Sequence, residues 1–124
     1  MLANMVMGKT EEIVVSEEPV LLWENPKPTS GFVGQTVEVD GVGYSGYIVT
    51  GRASIQSETA LYSYAPVGGY STLANGNING PSAYRNIFNI TNNSIQFDNA
   101  NTSYGSEQNS NSVPLAIYGV KFVL

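Results

Sequence analysis

The stretch NSVPLAIYGVKFVL, from Asn111 to Leu124, is the most apolar run of the chain, and its reading decides the fold. Laid out as a strand, one face carries Leu115, Ile117, Gly119, Lys121 and Val123. The other carries Ala116, Tyr118, Val120, Phe122 and Leu124. A strand with one wet face alternates apolar with polar residues; here both faces are mainly apolar. Such a strand sits centrally in its sheet and is covered on each side. In a two-layer domain the outer cover must come from the N-terminal segment or from another subunit. Tyr118 and Phe122 are therefore candidate assembly contacts.

Upstream, short β-prone runs alternate with polar turns. Val20–Trp23 reads as a first strand, broken by Asn25, Pro26 and Pro28. Phe32–Val39 follows, and Asp40-Gly41 predicts a hairpin-type turn. Tyr44–Ala53 (YSGYIVTGRA) and Thr59–Val67 are the next two strands. A polar connection from Gly68 to Ser82 separates them from Tyr84–Ile90 and Ile95–Phe97, which read as a hairpin around Thr91-Asn92-Asn93-Ser94. A second polar loop, Asn99–Ser112, leads into the closing strand, taken as Val113–Leu124. The expectation is an all-β, antiparallel, jelly-roll-like β-sandwich over residues 21–124.

Residues 1–20 differ: Met-rich, then acidic, then Pro19. They read as an extended arm, either a leader without contacts or an anchor on a neighbour. As an anchor its contacts are Leu2, Met5, Val6 and Met7, or the strand-like Ile13-Val14-Val15; flexible methionines suit an imposed groove.

Composition narrows the function. Charged residues make up only 12% of the chain, and Asn (13), Ser (13), Gly (13) and Thr (8) supply its polarity. A charge-poor surface suits a protein that lives packed against others. Five of the ten acids lie in the first 24 residues; beyond them, five acids face four bases, with no basic stripe for nucleic acid. No signal peptide and no membrane-spanning run is legible.

Histidine and cysteine are both absent, which removes the commonest general base and the soft metal ligands. No nucleophile elbow surrounds any serine. Asp40, Glu58, Asp98 and Glu107 are too scattered to predict a carboxylate pair. DNANTS, Asp98 to Ser103, lacks the ligand spacing and distal Glu of a calcium loop. The expectation is no catalytic residue, no cofactor and no metal. Arg52 and Arg85 read as partners of acids or backbone carbonyls. Tyr62, Tyr64, Tyr70 and Tyr104 flank or occupy the polar loops, alongside Tyr84. They read as packing or interface residues, or alternatively as ring faces for a host-surface glycan.

Three strings carry a resemblance. LLWENPKPTSGFVGQTVEVD (Leu21–Asp40) resembles the segment LW-x-NP-x-P-(T/S)-x-x-F-x-x-QTV, which opens small β domains in tail-region and minor structural proteins of phages of Gram-positive bacteria. YRNIFNITNNSIQF is similar to the family's Arg-led strand pair, and NSVPLAIYGVKF to its closing PLKIYGIK. The chain departs from the pattern at Tyr44-Ser45-Gly46-Tyr47, where Tyr-Asp is usual, and at Ala116, where Lys is usual. The resemblance implies a virion component made in the host bacterial cytoplasm: a fibre, baseplate, tail-associated, head-fibre or capsid-decorating part. It implies contact with other virion proteins and a homo-oligomer, by analogy a trimer. It carries no active site over.

Overall fold

In the computed structural model, which describes residues 14–15, 18–75, 83–102 and 109–123, one long strand shows how this sequence makes layers. Along Gly46–Ser54, Tyr47, Val49, Gly51 and Ala53 are buried while Ile48, Thr50, Arg52 and Ser54 are half-buried. The period of two assigns the first set to the core and the second to an outer face.

The described residues form eleven strands: β1 Val14–Val15, β2 Val20–Glu24, β3 Gln35–Glu38, β4 Gly46–Ser54, β5 Ser57–Pro66, β6 Ser71–Asn75, β7 Ala83–Phe88, β8 Ser94–Phe97, β9 Asn101–Thr102, β10 Asn111–Val120 and β11 Phe122–Val123. One antiparallel sheet has the order β2-β10-β4-β5, a second has β3-β8-β7-β6 with β9 alongside β7, and β1 and β11 form a separate two-stranded pair. The domain is an all-β sandwich. As in a jelly roll, the chain closes by laying its last long strand, β10, beside its first, β2. No helix among the described residues is long and apolar enough to cross a membrane.

The core lies between the sheets. Tyr47, Val49, Leu61 and Ile117 of the first meet Val37, Leu73, Ile87 and Ile95 of the second. Each buried aliphatic side chain contributes about 1.5–3 kcal/mol. Phe32 plugs one end, its ring edge-on to Trp23 at 6.1 Å and to Phe97 at 5.6 Å. Tyr47 is buried and donates its hydroxyl to the Thr91 carbonyl at 2.6 Å; loss of water raises its pKa.

The closing strand is central, between β2 and β4, as its two apolar faces predict. Its faces do not alternate strictly, however. Register shifts between Pro114 and Ala116, where Pro114 has no N–H for the ladder. Leu115, expected beside Ile117, instead lines the outer surface with Tyr118. The strand also starts at Asn111 and breaks at Lys121, so Phe122 belongs to a separate short strand.

Three further expectations are corrected. Asp40-Gly41 is no hairpin: β3 and β4 belong to different sheets, and the turn closes later, from Tyr44 N–H to the Gly41 carbonyl at 3.2 Å. The polar connection after Gly68 contains β6, which pairs with β7 through its backbone and buries Leu73. Val14–Val15, offered as a contact for a neighbour, pairs with Phe122–Val123 of its own chain. Leu2, Met5, Val6, Met7 and Tyr104 lie outside the described residues.

Candidate functional site

The two sheets turn unlike surfaces outward. Across the first, the register aligns Leu21, Tyr118, Ile48 and Tyr64 in one row spanning all four strands. The next row is Glu24, Ala116, Thr50 and Tyr62. Leu21 is 46% exposed, Tyr64 41% and Tyr62 73%. Between these rows opens a hollow of about 480 Å³, lined by Ile48, Thr50, Ala60, Tyr62, Leu115 and Tyr118 beside Pro19, with no charged side chain among them. Tyr64 rests against Gly46, where a Cβ would come within 2.5 Å of its hydroxyl. That burial raises the Tyr64 pKa.

The outer face of the second sheet is mostly polar, pairing Thr36 with Gln96, Glu38 with Ser94 and Thr72 with Asn86, with Tyr84 opposite Ala74 and Phe88 opposite Gln96 as its apolar members. Most of these pairs are polar and reach solvent. The contrast between the faces is the main surface feature of the molecule.

Of the residues singled out from sequence, the structure brings Tyr62, Tyr64 and Tyr118 together on the apolar face. Tyr70 stands apart beside Gly69 and is 79% exposed. Phe122 is placed by its backbone alone, opposite Val15. Leu21, Ile48 and Leu115 were not singled out; they gain meaning only from register and from the break in alternation at Pro114.

A second feature is a buried polar joint. Arg85 is fully buried on β7. Its Nε donates to the Ser112 carbonyl at 2.9 Å, Nη1 to Asp98 O at 2.8 Å, and Nη2 to Asn111 O at 3.1 Å. Its guanidinium also lies 5.2 Å from the Phe32 ring centre. Desolvation pulls its pKa down to about 10, partly opposed by the Asp98 charge, so it stays charged at neutral pH. Arg52 likewise takes backbone carbonyls, those of Ser54 and Ser57, and so secures its own hairpin.

On the far side of β10, Asn25 Nδ2 donates to the Pro114 carbonyl at 2.8 Å, and Asn25 N–H to Leu115 O at 2.8 Å. Asn25 thus continues the β2 side of the ladder past Glu24, giving donors to two carbonyls of β10 on the edge opposite β4. The ENPKPT, YRNIF and NSVPLAIYG strings therefore meet in space, with Asn25 and Arg85 both clasping the start of β10. Asn25→Ala leaves the Pro114 carbonyl without this donor and is expected to cost about 1–3 kcal/mol, read as a lower urea midpoint. An unchanged midpoint would remove Asn25 from this role.

The carboxylates do not assemble. Asp40 and Asp98 follow opposite ends of the β3–β8 ladder. Four residues of strand hold them roughly 13 Å apart or more, beyond the span of a glycosidase pair. The Glu58 side chain and Glu107 lie outside the described residues. Asp98 Oδ1 accepts the Asn99 N–H at 2.9 Å, and Asn99 Oδ1 accepts from Gly34 N at 2.7 Å and Asn109 Nδ2 at 3.1 Å. The loop's oxygens thus bind its own chain. Gly34 is required there, since a Cβ would sit 2.7 Å from Asn99 N. No cluster of three potential metal ligands occurs among the described residues. No protein-family model, curated protein or solved structure matches this chain.

Proposed function

We propose that the chain is a non-catalytic structural subunit of a bacteriophage particle, which joins its neighbours through the outer face of the β2-β10-β4-β5 sheet. The observation that carries the assembly half of this reading is the row Leu21–Tyr118–Ile48–Tyr64. An apolar, charge-free row across a whole sheet face is what a sandwich presents to a partner, and the polar opposite face sharpens the contrast. The particle half rests on the resemblance of the Leu21–Asp40, YRNIF and PLAIYG segments to phage structural domains. The closeness of these strings in space gives their residue types a common task, holding the central strand.

The partner is first of all another copy of the chain, as the analogy with trimeric fibre parts implies, and then other virion proteins. Mass spectrometry of gradient-purified particles of the phage carrying the gene tests this. The expected result is peptides of this chain at a stoichiometry that matches a structural ring or array. Their absence from purified particles, with the protein left in the lysate supernatant, overturns it.

A further inference from the structure

The geometry points to a binding site for a neutral saccharide on the polar sheet, in a hollow between β3, β8 and the β7–β8 turn. The site is separate from the assembly face and independent of the particle reading. The hollow measures about 520 Å³, and Thr36, Asn89, Thr91, Ser94 and Gln96 line it, with Gly68, Gly69 and Ile90 forming the remaining wall. Every polar group in that lining is a hydroxyl, an amide or backbone. With no cation to hold a phosphate or carboxylate and no acid to hold an amine, the ligand it suits is uncharged and rich in hydroxyls.

Two side chains give the hollow its chemistry. Asn89 Nδ2 donates to Gln96 Oε1 at 2.8 Å. That bond leaves the Asn89 carbonyl as an acceptor and the Gln96 amide as a donor. Were both amides turned over, the pair would still offer one donor group and one acceptor. A donor and an acceptor side by side match neighbouring hydroxyls of a sugar ring. Thr36, opposite Gln96 in register, adds an exposed hydroxyl.

The site is also built to stay in place. Asn89 holds φ at +48°, a backbone region that asparagine tolerates better than most residues. Gly68, at φ +86°, donates its N–H to the Ile90 carbonyl at 2.8 Å. Thr91 closes the turn, its N–H on Ser94 O at 2.9 Å and its Oγ1 accepting from Asn93 N and Ser94 N. The turn is thus held before any ligand arrives, which lowers the ordering cost of binding.

The test is an amide-shift titration of the ¹⁵N-labelled full chain. The probes are the methyl glycosides of glucose, galactose and N-acetylglucosamine, with N-acetylneuraminic acid as the anionic control. The expected result is saturable shifts with at least one neutral glycoside, centred on Gly68–Tyr70, Asn89–Ser94 and Gln96, and none with the acid. Gln96→Ala and Asn89→Gly should each weaken binding by about tenfold. Asn89→Gly keeps the left-handed backbone while deleting the amide, so its fold is preserved. No shift with any neutral glycoside overturns the inference. So do shifts centred on Tyr62 and Tyr64, equal binding of the acid, or unchanged affinity in both variants.

Discussion

Arg85→Met is expected to destabilise the domain by about 3 kcal/mol or more, a large part of the 5–15 kcal/mol that such a domain possesses. Two effects oppose each other. Methionine removes a buried charge, whose cost shows in the depressed pKa of about 10. It also strips donors from the carbonyls of Asp98, Asn111 and Ser112. Those carbonyls come from two separated stretches that converge on one planar guanidinium, and an orphaned buried acceptor costs about 1–3 kcal/mol. The second effect wins. Arg85→Lys should recover little, because a single ammonium cannot reproduce the fork. Urea unfolding measures this, and a Met variant within 1 kcal/mol of the parent sinks the argument. The loss should be the same at pH 5 and pH 8. The group is charged there in both the folded and the unfolded chain, and only above about pH 10 would the folded state release its proton first, relieving the burial penalty.

What the sequence made legible was local. The alternation of Tyr47 to Ser54, the Thr91–Ser94 turn and the central place of the closing strand follow from side-chain period and turn chemistry. What it hid was set by distant partners. Asp40-Gly41 carries hairpin chemistry, yet the strands on either side of it join different sheets, because Val37 and Tyr47 are both needed in one core. Of the described side chains of β6, Leu73 is the one in that core cluster, so the segment reads as loop while its backbone pairs with β7. The apolar row was hidden for the same reason: Leu21 and Ile48 look like ordinary strand residues until Tyr118 aligns between them. Pro114 was the one available warning that alternation would fail at Leu115, since a proline in a central strand requires an irregularity. Arg85 and Arg52 read as partners of acids or backbone carbonyls; both take carbonyls in the structure, and nothing local tells the buried one from the half-buried one.

Under the assembly proposed above, Ile48→Lys is expected to yield monomers where the parent forms oligomers, while leaving the fold nearly as stable as before. Ile48 points outward from the middle of the row, between Tyr118 and Tyr64, and is half-buried in the isolated chain. A lysine there can reach water in the monomer. In an interface it would be buried without a partner, at roughly 2–5 kcal/mol per contact, which weakens association some 30- to several thousand-fold. Tyr62→Ala, at the more exposed edge, should weaken association less. Asn86→Lys, on the polar sheet, should leave it unchanged. Light scattering coupled to size exclusion reads the mass, and a thermal melt reads the fold. A parent chain that is monomeric at every concentration, or an Ile48→Lys chain that stays assembled, would show that this face is not where copies meet. The Asn86→Lys control separates the apolar row from a general effect of added charge, because both substitutions add one positive charge, each to a different sheet.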